Sequence, residues 1–308
     1  MGLISRIYVK SFVCRYDREV GIPYYKYTDF PGLKEEQGSF INTQGVEIHY
    51  FYYYYDGYRQ DKVLLFLNGI GCGHISYFAE IEYFAKRGYK VLTLDYRGCG
   101  DSKGDNLMSL NSPTRDTVDL LNHLKLDVPV VLVGHSLGGY TALNVMTIRK
   151  DITKAVVISG FLSVPALAAT IIRSGFIINR IGKYEHKVES EYCDIDNIAY
   201  LKDTNDDLLF VHSEDDRTVP YDMSTKEVER IDNPHVRIMK VNGKGHLPQY
   251  SQEAVNYMNE VFGEYYKEIK EKTIKTDEQK INYFKDVSIQ RLTEQDDEVM
   301  GEIIKFLE

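Results

Sequence analysis

Residues 130–140 read VVLVGHSLGGY. Val130 to Val133 form an uninterrupted apolar run, the pattern of a strand buried on both faces. From Leu137 the chain continues as LGGYTALNVM, which reads as a helix. Only a sharp strand-to-helix turn joins two such elements this closely. That turn crowds its neighbours, so Gly134 and Gly138 suit positions where a Cβ would collide. It presents the Ser136 hydroxyl at the C-terminal edge of the sheet, where parallel α/β proteins place ligands. The Leu137 amide, at the helix start, is placed to stabilise an oxyanion.

The same rhythm extends on both sides. Short apolar runs recur at 63–67 (VLLFL), 91–94 (VLTL), 155–160 (AVVISG), 208–212 (LLFVH) and 236–241 (VRIMKV). Helical patterns lie over 76–87, 113–125 and 137–149, the second with Ser112 as its cap before Pro113. Apolar strands alternating with helices predict a mostly parallel sheet flanked by helices. Residues 46–55 (VEIHYFYYYY) add an earlier strand, closed by the turn signal Asp56-Gly57. The rhythm breaks between Phe161 and Asp207, where PALAATIIRSGFIINRIG predicts a small helical excursion over the sheet, read as a lid over a pocket, with simple packing of an inserted helix pair as the alternative. Beyond His246, helices are predicted over 254–271 and 296–307. The last puts Val299, Ile303 and Leu307 on one face, suited to docking, and TIKTDEQKINYFKDVS before it is weakly patterned.

A chain of 308 residues permits one large domain or two small ones, and nothing in the pattern requires a second. The formal net charge is −9, with no basic tail and no Arg/Lys stripe, which argues against a nucleic-acid partner. The 25 tyrosines fit half-buried strand and helix faces. Cys14, Cys72, Cys99 and Cys193 are scattered and form no CxxC pair, so neither a metal site nor a disulfide framework is expected. Cys72 and Cys99 fall near the expected active-site edge, without a better local case as nucleophile than Ser136. MGLISRIYVKSF lacks the apolar core of a signal peptide, Arg6 breaks the myristoylation pattern, and no apolar run reaches spanning length. A cytoplasmic protein without a transmembrane segment is expected.

A serine hydroxyl is a poor nucleophile without a base, and the base is a histidine oriented by a carboxylate. Of eight histidines, His49 lies in a strand, His123 in a helix, and His135 beside the serine with its side chain turned away. His246, in NGKGHLPQY beyond the last strand, falls in a loop at the same edge as Ser136. The acid comes from the end of LLFVHSEDDRTVP, where spacing leaves Asp215 and Asp216 in competition. A further oxyanion donor is expected from Asn68-Gly69-Ile70-Gly71-Cys72-Gly73, whose glycines let amides approach a substrate. That loop also suggests a dinucleotide site, with the aspartate of VLTLDYRG on a ribose. Position 74 is His where the fingerprint needs Gly, and such a site leaves Ser136 and His246 unexplained.

GHSLG at 134–138, DYRGCGDS at 95–102, SEDDRTVP at 213–220 and GKGH at 243–246 resemble the α/β-hydrolase family, over roughly residues 46–263. They stand in its order of nucleophile, acid and histidine. The resemblance implies an α/β-hydrolase fold in one domain over 1–308, with a small helical cap at 162–206 and a C-terminal helical extension at 264–308. It implies Asp216 as the acid, from DRTVP, and Ile70 as the first-loop oxyanion donor beside Leu137. The family's usual His-Gly stands here as Asn68-Gly69. The small cap is similar to that of monoglyceride lipases, carboxylesterases and serine aminopeptidases. The expected activity is a serine hydrolase acting on a small-molecule ester with an apolar acyl or aryl group, or on a monoacylglycerol-like lipid, needing no cofactor and no metal. The alternatives are an aminopeptidase or amidase, carbon–carbon bond hydrolysis, acyl transfer, or a non-catalytic binding protein of this fold. An aminopeptidase needs acids for the substrate ammonium. Glu185, Glu189, Glu191, Asp194 and Asp196 of the cap are expected to form a solvated face instead.

Overall fold

Leu65 and Leu67 enter one apolar core, while Leu64 and Phe66 of the same strand enter another. A period of two with both sets apolar is the signature of a sheet covered on both sides. The computed structural model describes residues 2–308. Its eight strands are β1 (Lys34–Ile41), β2 (Glu47–Tyr54), β3 (Val63–Leu67), β4 (Lys90–Leu94), β5 (Val130–His135), β6 (Lys154–Ile158), β7 (Asp207–Ser213) and β8 (Val236–Val241). They form one sheet in the order β1-β2-β4-β3-β5-β6-β7-β8. The pairs β1–β2 and β2–β4 are antiparallel, and the pairs from β4 to β8 are parallel. Leu67 lies opposite Gly134 and His135 opposite Ile158, which brings three strand ends to one edge. β1 has no apolar alternation to announce it, since KEEQGSFI buries Phe40 alone. It pairs because β2 offers it an open edge.

Before the sheet lies α1 (Leu3–Phe12), and α2 (Phe78–Lys86), α3 (Ser112–Leu124) and α4 (Leu137–Ile148) follow β3, β4 and β5. The excursion holds α5 (Val164–Ile171), α6 (Gly175–Val188), α7 (Ser190–Cys193) and α8 (Asn197–Asp203). α9 (Thr225–Val228) precedes β8, and α10 (Gln252–Glu271), α11 (Asp277–Phe284), α12 (Ile289–Leu292) and α13 (Asp297–Leu307) follow it. Leu120 of α3 and Leu143 of α4 pack one sheet face. Ile81 and Phe84 of α2 pack the other, with Val299, Ile303 and Leu307 of α13. The weakly patterned stretch contains α11 and α12. A Thr276/Gln279 capping box starts α11, and Phe284 and Leu292 join Val261 and Tyr265 in a small separate core. Ser112 is not the cap of α3: Asn111 holds that position, and the Ser112 hydroxyl donates to Glu189 at 2.9 Å.

The cap acids also differ from expectation. Glu185 is buried and accepts from Tyr8 Oη at 2.7 Å and Asn111 Nδ2 at 2.8 Å. Glu189 is buried and accepts from Arg115 Nε at 2.6 Å. Desolvation drives both toward donors in the body of the protein, so they fasten the excursion down while Glu191, Asp194 and Asp196 stay exposed.

Beneath them Arg97 is fully buried, its Nε donating to both Asp116 oxygens at 3.0 and 3.1 Å. Asn42 Nδ2 donates to the same carboxylate at 2.8 Å. Asp116→Ala removes the closest buried partner of the guanidinium, leaving Glu189 Oε1 at 3.6 Å, and a loss of about 3–5 kcal/mol is expected in urea unfolding. A loss below about 1 kcal/mol would contradict this account. Among the described residues no helix is long and apolar enough to cross a membrane.

Candidate active site

β5 ends at His135 and α4 begins at Leu137, so Ser136 alone makes the turn. Its backbone sits at φ 55° and ψ −116°, a strained region for any side chain. Two hydrogen bonds hold it there. Its amide donates to the Ile158 carbonyl at 2.8 Å, and its carbonyl accepts from the Tyr140 amide at 3.1 Å. A Cβ at Gly134 would strike the Gly138 carbonyl, and one at Gly138 the Leu67 carbonyl.

The loop after β3 runs against the serine. A Cβ at Gly69 would lie 3.2 Å from the Ser136 Cβ. Asn68 is buried and donates from Nδ2 to the Gly69 carbonyl at 3.2 Å, shaping the turn into Ile70. Leu137 is the first residue of α4, where an amide has no intrahelical acceptor. The Asp95 carboxylate anchors the far end of the loop, accepting from the His74 amide at 2.7 Å, His74 Nδ1 at 2.8 Å and the Asp101 amide at 2.9 Å. Burial would raise its pKa, but the neighbouring His74 and the amides outweigh burial and hold it below the usual range. This is the aspartate that the dinucleotide reading placed on a ribose, and its oxygens are spent inside the fold.

His246 Nδ1 lies 2.7 Å from Asp216 Oδ2. The other Asp216 oxygen accepts from the Thr218 amide at 2.8 Å and the Val219 amide at 3.0 Å. Burial works against the Asp216 charge, yet these donors with His212 and His246 push its pKa well below the carboxylate range. An ionised Asp216 requires the proton of His246 on Nδ1, which leaves Nε2 as a base. No hydrogen bond joins Nε2 to Ser136 Oγ, a contact of the kind that tightens as substrate binds. Asp215, the competitor, faces elsewhere. Its Oδ1 accepts from the Ser213 hydroxyl at 2.6 Å and the Gly243 amide at 3.0 Å, so it shapes the histidine loop from below.

Two histidines that sequence reasoning passed over complete the arrangement. His212 Nε2 donates to Val219 O at 2.9 Å and Asp216 Oδ2 at 3.1 Å, while its Nδ1 accepts from Thr225 at 2.7 Å. His135 is not turned away from the site. Its Nε2 donates to the His246 carbonyl at 2.8 Å, and its Nδ1 accepts from Tyr77 Oη at 2.9 Å. Burial first, and the nearby His246 second, depress its pKa to about 3, so it is neutral at working pH. Its position next to Ser136 was the one signal available in the sequence.

The His246 loop also rests on a buried acid of α2. Gln249 Nε2 donates to Glu80 Oε1 at 3.1 Å, and burial raises the Glu80 pKa to about 7. A folded pKa above the unfolded one means that the folded state holds the extra proton. The Glu80 contribution is therefore fully present below about pH 4.5 and lost as pH rises through 7, by about 3 kcal/mol. His135 acts oppositely, costing stability as pH falls below about 6.5. The clean measurement is thus the gap between two proteins. Glu80→Gln is expected to gain about 3 kcal/mol on wild type between pH 4.5 and 7 in urea titrations. A gap independent of pH would show that Glu80 titrates alike in the folded and unfolded states.

A cavity of about 260 Å³ lies beside the site, lined by Ile70, Tyr77, Leu247, Tyr250, Met258 and Phe262 among others. No cap residue lines it. Its walls come from α2, the histidine loop, the segment at 22–25 and the C-terminal helices. Cys72 and Cys99 are buried, and burial raises both thiols above their ordinary range. Among the described residues no cluster of His, Cys, Asp and Glu is arranged to hold a metal ion.

A sequence model described as the alpha/beta hydrolase family matches residues 64–190. An sn-1-specific diacylglycerol lipase of Xenopus tropicalis is 35% identical over 125 residues, 40% of this chain and 37% of that protein. A putative esterase/lipase of Haemophilus influenzae is 26% identical over 103 residues, 33% of this chain and 35% of the other. The matches thus span little more than a third of these curated relatives. Among solved structures, an esterase of Pyrococcus furiosus superposes with a TM-score of 0.59 at 18% identity, over 84% of this chain and 96% of that one. The chain has the α/β-hydrolase fold, and its segment 64–190, which contains the elbow, is similar to a family with esterase- and lipase-like members.

Proposed function

We propose that this protein is a serine hydrolase that cleaves a carboxylic ester through an acyl-enzyme. The observation that carries the reading is Ser136 strained at the elbow, with Gly69 against its Cβ and His246 held by Asp216 at the same edge. Ser136 Oγ attacks the ester carbonyl and passes its proton to His246 Nε2. Asp216 keeps the other imidazole proton on Nδ1 and stabilises the cation. The Ile70 and Leu137 amides receive the oxyanion, each contributing about 3–4 kcal/mol to the transition state. The imidazolium then protonates the departing alkoxide. Water, deprotonated by His246, releases the acid and restores the serine.

The cavity beside Ile70 and Leu247 supports an apolar acyl or aryl group on the substrate. The esterase and lipase names among the relatives support an ester over an amide. The burial of Glu185 and Glu189 removes two of the acids an aminopeptidase could use for its substrate's ammonium. One domain over 1–308, with the cap at 162–206 and the extension at 264–308, and a cytoplasmic setting remain part of the proposal. The test is intact mass after treatment with a fluorophosphonate. One adduct per chain on wild type and none on Ser136→Ala is the expected result. A folded wild type that takes no adduct would overturn the reading.

A further inference from the structure

The outward face of α1 consists of Leu3, Arg6, Ile7 and Lys10, spaced at helical intervals, while Tyr8 is buried beneath it. Leu3 is 74% exposed and Ile7 56%. A solvent-facing stripe ordinarily carries acids and amides among its cations, and this one carries neither. Beside it α6 turns Phe176, Arg180, Lys183 and Lys187 outward, again at helical spacing, with the Arg180 guanidinium carbon 5.2 Å from the Phe176 ring centre. Phe176 is 63% exposed, and exposed Ile171 and Arg173 extend the surface past the end of α5. A groove of about 920 Å³ lies between α1 and α6, with Leu3, Met108 and the α6 stripe on its walls.

The charge of this face opposes that of the chain. Residues 2–12 and 164–188 hold the cations Arg6, Lys10, Arg173, Arg180, Lys183 and Lys187, and one acid, Glu185, which is buried. The exposed His186–Asp194 pair next to them uses none of these cations. The whole chain nevertheless has a net charge of −9. No Arg/Lys stripe is visible along the sequence, because folding gathers these residues from two distant segments.

We propose that this face docks on the surface of an anionic phospholipid membrane. Leu3, Ile7, Ile171 and Phe176 enter the acyl boundary, and the cations reach the lipid phosphates on their flexible stems. An acidic protein partner would satisfy the charges but has no general need for four exposed apolar side chains. A second copy of the same face would bring cation against cation.

The chain has no tryptophan, so Phe176→Trp supplies a single fluorescent reporter in the full-length protein. The expected result is a blue shift and co-sedimentation with phosphatidylcholine vesicles that contain phosphatidylglycerol, weakened by salt and absent with pure phosphatidylcholine. Each cation near such a surface strengthens binding by roughly five-fold, so adding Arg180→Gln and Lys183→Gln should weaken it roughly 25-fold. These residues are exposed, and an unchanged melting curve shows that the variants remain folded. No shift and no co-sedimentation with the anionic vesicles would overturn the proposal. Binding that survives the double neutralisation would do the same. So would a dimer by light scattering that Ile7→Glu dissociates, in a protein that ignores vesicles.

Discussion

Ser136→Ala is expected to lower kcat for a p-nitrophenyl ester on the order of a million-fold, with the fold intact. The size follows from how the parts depend on one another. Without the hydroxyl, the base at His246 has no nucleophile to activate, and only binding and the oxyanion amides continue to act. Active-site titration alongside the rate measurement excludes carry-over of wild type. A variant within about ten-fold of wild type would assign the chemistry elsewhere. The elbow supplies a companion measurement. At φ 55° alanine keeps the strain that serine has, whereas glycine does not. Ser136→Gly should therefore be as inactive as Ser136→Ala, yet more stable by about 1 kcal/mol or somewhat more. Equal stability of the two would mean that the elbow stores no strain.

Asp216→Asn is expected to lower kcat by about 10⁴-fold at neutral pH. The surroundings dictate which way the new amide faces. The Thr218 and Val219 amides both point at Oδ1 and require an acceptor there. The NH₂ must then occupy the Oδ2 position, 2.7 Å from His246 Nδ1, and donate to it. That bond selects the tautomer with the proton on Nε2, where Ser136 needs a lone pair. His212 does not prevent the flip, because its Nε2 retains the Val219 carbonyl. Asp215→Asn provides the contrast. Its carboxylate meets Ser213 and the Gly243 amide, not the imidazole, so the loss should stay within about ten-fold. Similar losses in both variants would mean that the two acids share the work.

The apolar run of β3, the run into Gly134 and the helix beginning at Leu137 are local patterns, and the α/β-hydrolase fold was legible from them. A residue's face in a strand and the tolerance of a turn for a Cβ depend on near neighbours. Ser136, His246 and the acid loop were legible for a related reason: each sits where a strand must end. Strand β1 was not, because it has almost no apolar side and exists through the edge that β2 presents. The contact between Asp216 and His246 joins residues 30 positions apart; spacing left Asp215 and Asp216 in competition, the resemblance implied Asp216, and the approach of two loops puts Asp216 rather than Asp215 against the imidazole. The same holds for His135 under the His246 carbonyl, 111 positions away, and for Glu185 at Tyr8, 177 positions away. Burial is a property of the assembled chain. It turned two cap acids into internal fasteners, formed the apolar cavity from the C-terminal helices, and collected scattered cations onto one face. Sequence periodicity reports which side of an element is apolar, while tertiary packing settles what that side meets and which buried polar groups find partners.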